Sequence, residues 1–182
     1  EADVRTEVVE GEGRVEVAFR LRSLVGAAPT TAVLVVDGVK AALEGHPAEG
    51  GDLVLRGRLN LPDVPLWWPH THGPQPLHDV RVQVTVGGAE VEIDCGRVGF
   101  RSLERDPGDG FGVRINGVPV FCRGACWTPM DIVSLAGNPS DYRAVLLAAR
   151  DAGMNMIRIG GTMVYEADAF YDLCDELGLL VW

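Results

Sequence analysis

Asn155-Met156-Ile157-Arg158-Ile159-Gly160-Gly161 is the stretch on which the reading of this chain turns. Gly153 just before it closes a helical pattern, and Met156 to Ile159 form a short apolar run interrupted by a single cation. A second amphipathic segment follows, and then Leu179-Leu180-Val181-Trp182, a second apolar run. Strand, helix, strand, helix, strand is the grammar of parallel α/β units with right-handed crossovers. In a β/α-barrel, residues leaving the C-terminal ends of the strands face the active site, so Arg158 reads as a substrate-facing group. A structural ion-pair partner is the plainer alternative. Because the chain stops inside an apolar run, the expectation is the front part of a barrel whose remainder is missing.

The helices around this stretch carry their own end signals. Asn138 is placed as an N-cap, with Pro139 at the first helical position, Asp141 in the first turn and Gly153 just past the end. Tyr142, Val145, Leu146 and Ala149 fall on one stripe of that helix. Phe170, Leu173, Cys174 and Leu177 do the same on the next, which Gly178 closes. Upstream, Asp106-Pro107-Gly108-Asp109-Gly110 is a turn-rich connector, its two aspartates reading as solvated turn residues. A hairpin is expected after it, Phe111 to Ile115 and Val118 to Cys122 joined by Asn116-Gly117.

The first hundred residues follow a different rule. Val15, Val17, Phe19 and Leu21 alternate with polar neighbours, and Val33 to Val36, Leu53 to Leu59, Val80 to Val86 and Val91 to Ile93 repeat the theme. Asp37-Gly38, Gly50-Gly51 and Gly87-Gly88 punctuate them. Short strands at this spacing predict an antiparallel β-sandwich, here without the paired cysteines around a tryptophan of antibody domains. The expected organisation is a sandwich over 1–103 and α/β units over 104–182.

Composition narrows the partners. With 47% hydrophobic and 23% charged residues the chain is ordinary globular material. A formal charge of −10 with no Lys/Arg cluster argues against nucleic acid, which requires a concentrated cationic face. No stretch reaches the roughly 20 apolar residues needed to span a bilayer, and Glu1-Ala2-Asp3 does not begin a signal peptide. Cys95, Cys122, Cys126 and Cys174 lack the spacing of a zinc site or a disulfide framework and are expected to be buried free thiols, which favours a reducing, cytoplasmic setting.

Several constellations invite chemistry. Leu66-Trp67-Trp68-Pro69-His70-Thr71-His72-Gly73-Pro74-Gln75-Pro76-Leu77-His78 places three histidines within nine residues, but its proline and glycine content reads as a loop without acidic or cysteine partners for a metal. Its tryptophans can stack on a sugar or form an aromatic plug closing the sandwich, the second being favoured. In Arg123-Gly124-Ala125-Cys126-Trp127-Thr128-Pro129-Met130-Asp131, Trp127 can form one wall of a sugar pocket and Asp131 can accept hydroxyl hydrogen bonds, on the same rim as Arg158. A packed tryptophan and a helix-proximal aspartate are the equal alternative. Glu166 and Asp168 read as helix-end carboxylates. No G-x-S-x-G elbow and no Walker-type loop is present, and Gly160-Gly161 lacks the third glycine of a dinucleotide turn.

Taken in order, Leu66-Trp67-Trp68-Pro69 with Gln75-Pro76-Leu77, Val98-Gly99-Phe100-Arg101, Asn116 to Phe121 with Arg123-Gly124-Ala125, Asn155 to Arg158, and Phe170 to Gly178 resemble glycoside hydrolase family 2, most closely its β-mannosidase branch. The resemblance runs over nearly the whole chain. It implies an immunoglobulin-like antiparallel β-sandwich followed by an incomplete (β/α)8 barrel, and retaining hydrolysis of terminal β-linked sugars with no metal or organic cofactor. The family's acid/base follows the fourth barrel strand and its nucleophile the seventh, so no catalytic residue is expected in this chain, and the chain alone is expected to be inactive. Arg158 matches the family's sugar-binding arginine. The β-mannosidase pattern has Trp-Gly-Gly-Gly where this chain has Gly160-Gly161-Thr162-Met163, and Asn where Cys126 stands. These departures keep β-glucosaminidase, β-galactosidase and β-glucuronidase specificities in view. A noncatalytic sandwich serving as a spacer or sugar-binding module is the alternative of another class, and open barrel edges imply self-association of the isolated chain.

Overall fold

Alternation of apolar and polar side chains, wherever it is sustained, has become strand. The structure, a computed structural model, describes residues 2–22, 28–105, 112–162 and 164–182. The Asp106–Gly110 connector, Phe111 and Met163 lie outside them. The chain divides into two compact units, one made of Glu1–Pro65 and His78–Phe100, the other of Leu66–Leu77 and Arg101–Trp182.

The first unit is an antiparallel β-sandwich of two four-stranded sheets. One has the order β1 (Ala2–Val9), β2 (Glu12–Leu21), β6 (Leu53–Leu61), β5 (Glu44–Pro47); the other has β4 (Val39–Ala42), β3 (Pro29–Val36), β7 (His78–Val86), β8 (Ala89–Val98). Val15, Val17 and Phe19 of β2, Leu55 and Leu59 of β6, Leu34 and Val36 of β3, and Val80, Val82 and Val84 of β7 are the inward side chains of these strands. Period-two alternation has thus sorted each strand into a buried and a wet face. The strands β1, β4 and β5 were not anticipated: β4 and β5 are only four residues long and almost wholly exposed, and β1 alternates only between half-buried and exposed positions. None of the three offers a fully buried side to read.

In the second unit, β9 (Leu103–Arg105), β10 (Val113–Ile115) and β11 (Val118–Val120) form an antiparallel sheet. Asn116 and Gly117 join β10 to β11 with φ of 51° and 75°, the left-handed pair that a two-residue hairpin turn requires. The strands β12 (Gly124–Trp127), β13 (Met156–Ile159) and β14 (Leu180–Val181) form a parallel sheet in that order. The crossovers are α1 (Pro139–Asp151) and α2 (Asp168–Leu177). Asn138 caps α1, its side chain accepting from the Asp141 N–H at 3.0 Å. On α1 the buried stripe is Tyr142 and Leu146, with Ala149 half-buried and Val145 turned to the surface; on α2 all four expected positions are buried.

The parallel sheet has two distinct faces. On one, Trp127, Ile157 and Leu179 pack under the helices with Tyr142, Leu146, Phe170, Leu173 and Leu177. On the other, near the N-terminal ends of the strands, Leu180 and Met156 pack with Trp67, Ile115 and Val120. Trp67 is 1% exposed and donates its indole N–H to the Asp175 carbonyl at 2.8 Å, while Arg101 stacks on its ring. The favoured reading of this tryptophan as a plug of the sandwich is corrected: the 66–77 segment folds with the parallel sheet, and Trp67 plugs one face of that sheet. Gly178 explains the docking. It takes φ of 71° at the end of α2, and a Cβ there would fall 2.5 Å from the His70 nitrogen, so the loop can approach and donate from His70 N to the Gly178 carbonyl.

Candidate functional site

Below the Trp67 plug the sheet face is filled; toward the C-terminal ends of the strands it opens. There the register sets Cys126 of β12 opposite Arg158 of β13. Trp182 donates its N–H to Ile157 and accepts from Ile159, which puts it beside Arg158 on the other flank. Cys122, Gly124, Ala125, Cys126, Met156, Arg158 and Trp182 line a cleft of about 260 Å³. The Arg158 guanidinium donates to the Cys126 sulfur at 3.8 Å and stacks over the Trp182 ring at 5.1 Å. Arg158 is exposed and lines the cleft, and among the described residues no ion pair to a carboxylate is recorded for it. Gly124 lets β12 and β13 meet: a Cβ there would lie 1.8 Å from the Met156 carbonyl oxygen.

Trp127 stands apart from this cleft. Its side chain is 8% exposed and points to the helix face, in contact with Phe170 at 4.8 Å between ring centres. Its indole N–H donates to Glu166 Oε1 at 2.7 Å. The packed alternative describes this indole, because in a strand Cys126 and Trp127 must point to opposite faces. Asp131 is exposed on the loop after β12, where its carboxylate accepts from the Val133 N–H at 2.8 Å and the Ser134 hydroxyl at 2.9 Å. The Val133 N–H, then the Ser134 hydroxyl, hold its pKa below the usual carboxylate value. The structure therefore does not bring Arg158, Trp127 and Asp131 onto one surface.

Glu166 lies just before α2, at the helix end where it was expected, but its partners are on other elements. It is 7% exposed and accepts from both Trp127 and the Tyr142 hydroxyl. Burial first, and the Glu166 hydrogen bond second, raise the Tyr142 pKa. The only local sign was the apolar residue before it in Val164-Tyr165-Glu166, which does not distinguish burial from exposure.

The cysteines also need correction. All four are free, but only Cys174 is buried, its thiol pushed up to about 12 by burial; Cys126 is exposed on the cleft and Cys95 and Cys122 are half-buried. The three histidines of the 66–78 segment disperse: His70 bonds the Met154 carbonyl at 2.8 Å, His72 contacts Thr71, and His78 pairs with Asp37. Among the described residues no group of three metal-ligating side chains is gathered, and no helix is long and apolar enough to cross a membrane.

No family model matches the chain. Curated relatives do. It is 38% identical to β-mannosidase B of Aspergillus niger over 150 residues, covering 78% of this chain and 17% of that protein. It is 37% identical to the β-mannosidase of Capra hircus over 126 residues, 65% of this chain and 14% of that protein. The chain therefore spans about a sixth of the length of the curated relatives it matches. Among solved structures, β-D-mannosidase from Dictyoglomus thermophilum superposes with a TM-score of 0.81 at 29% identity, over 100% of this chain and 23% of that one. The exo-chitosanase of Amycolatopsis orientalis gives 0.80 at 25% identity, over 99% and 22%. With the sandwich, the capped α/β units and the motif order, these similarities make the chain a β-mannosidase-like member of glycoside hydrolase family 2.

Proposed function

We propose that this chain is part of a retaining exo-glycosidase that releases terminal β-linked sugars, β-mannosides foremost, and that β12, β13 and β14 open a (β/α)8 barrel. The observation that carries the proposal is Arg158: a guanidinium at the C-terminal end of a parallel strand, in an open cleft, with an indole beside it. In the reaction, one carboxylate attacks the anomeric carbon while another protonates the leaving oxygen, and water then hydrolyses the glycosyl-enzyme. This chain supplies neither carboxylate. Arg158 supplies fixed N–H donors that orient sugar hydroxyls and stabilise a nearby carboxylate in its charged form. Trp127 and Asp131 take supporting places, one beneath the strand end and one on the rim loop.

Cys126, on the cleft where the β-mannosidase pattern has Asn, favours one further reading, a related β-linked sugar such as a glucosaminide. The likeness to an exo-chitosanase supports it.

The isolated chain is expected to self-associate. The edge strand β12 and α1 border an apolar groove of about 500 Å³ lined by Val145, Ala148, Ala152 and Met154, and an unpaired strand edge is a template for pairing. The function is tested by offering the longer protein aryl β-mannoside, β-glucosaminide, β-galactoside and β-glucuronide and following the released sugar by NMR. The proposal expects one of them, the mannoside first, to yield the β-anomer initially; no release, or an initial α-anomer, refutes it.

A further inference from the structure

Glu166 lies just before α2, yet its partners come from elsewhere. Its Oε1 accepts from the indole of Trp127, the last residue of β12, at 2.7 Å. Its Oε2 accepts from the hydroxyl of Tyr142 in the first turns of α1. That hydroxyl also accepts from the Gly137 N–H at 2.9 Å. One carboxylate thereby gathers both ends of the 128–138 loop, Trp127 at its start and Gly137 at its finish. The same carboxylate ends the 160–165 segment, which leaves β13 directly after Arg158 and Ile159.

A helix-dipole role does not account for this. Asp168 already provides the first-turn carboxylate of α2, and Ala167 is the N-cap. A carboxylate 7% exposed is costly unless its oxygens are hydrogen-bonded, and here both oxygens are satisfied by donors from two other elements. Truncating it would strand an indole N–H and a phenol O–H inside the core.

We propose that Glu166 is a positioning residue for the Arg158 cleft, holding the two loops that follow β12 and β13 at the end of the sheet where Arg158 emerges. That these loops border a sugar site rests on the glycosidase reading; that one buried carboxylate sets both does not. The side chain acts through Trp127 and Tyr142 and reaches no substrate.

Hydrogen exchange of the 182-residue chain tests this without any sugar, so its outcome is independent of whether the longer protein is a glycosidase. Glu166→Ala is expected to speed exchange about tenfold or more in 128–138 and 160–165, with the β-sandwich strands unchanged. Glu166→Gln, which keeps an acceptor for Trp127, is expected to restore most of the protection in both loops. Tyr142→Phe keeps the ring packing and removes the hydroxyl, so the Gly137 amide is expected to lose protection. Wild-type exchange in both loops of Glu166→Ala, or equal acceleration across α2 and the whole second unit, overturns the proposal. If Glu166→Ala does not fold, Tyr142→Phe decides: an unchanged Gly137 amide overturns it.

Discussion

Arg158 on β13 and Trp182, which directly follows the neighbouring parallel strand β14, stand with the guanidinium carbon 5.1 Å from the centre of the indole ring. The stacking restricts a long side chain that is otherwise free to swing, and it leaves the edge of the planar guanidinium available for hydrogen bonds. A preoriented cation beside an aromatic face suits a sugar, which offers hydroxyls at its rim and C–H groups on its faces.

The approach of β12 to β13 depends on Gly124. A methyl group there would sit 1.8 Å from the Met156 carbonyl oxygen, so Gly124→Ala must push the strands apart at the floor of the cleft. The expected cost is about 1–3 kcal/mol, read as a lower thermal midpoint of the second unit. A midpoint equal to wild type would show that the strands relax freely.

In the sandwich, Arg22 grips Asp52 through two hydrogen bonds of 2.8 and 3.1 Å, and this grip, opposed by burial, lowers the Asp52 pKa. A folded-state value below the unfolded one stabilises the fold above the unfolded pKa, and that contribution is lost as pH falls through the folded value. Asp52→Asn is therefore expected to lower the thermal midpoint by a few degrees at pH 7, with the gap closing as the solution is made more acidic than the usual carboxylate range. A gap that persists unchanged at low pH would contradict the ion-pair origin.

Thiol labelling separates the cysteines. Cys126 is exposed on the cleft, whereas Cys174 is buried with its thiol pushed up to about 12. An aromatic disulfide reagent at pH 8 is expected to modify Cys126 in the native chain and to leave Cys174 untouched until the fold is broken. Simultaneous modification of both would mean that the α2 core opens readily.

Sedimentation of the isolated chain addresses its open edge. With β12 at the edge of its sheet among the described residues and an apolar groove beside it, a dimer or larger species is expected at micromolar concentration. A monomer with a well-ordered Trp182 would contradict this.

Much of the scaffold was legible because its signals are local. Asn138 and Pro139 at the start of α1, Gly178 at the end of α2, and Asn116-Gly117 in the hairpin each act within a few residues, and the structure has them in those roles. What a side chain meets across the fold was not legible in the same way. Trp67 looks alike from sequence whether it plugs a sandwich or a parallel sheet; the choice lies with Asp175, Ile115 and Leu180, far along the chain. Trp127 and Arg158 were read together because both lie at strand ends, but pleating sends Trp127 to the helix face and Arg158 to the cleft. Glu166 reads from sequence only as a helix-end carboxylate, and its burial stays hidden because its donors, Trp127 and Tyr142, are 39 and 24 residues away.

The most direct test of the account is the hydrolysis of an aryl β-mannoside by the longer protein with Arg158 replaced. Loss of a preorganised donor at a sugar site typically lowers turnover by about 100-fold or more, so Arg158→Ala is expected to reduce kcat/KM by that order while the fold is retained. Arg158→Lys, which keeps the charge and loses the planar fork, is expected to recover only part of the loss. A kcat/KM for Arg158→Ala within about twofold of wild type would contradict the assignment of this cleft.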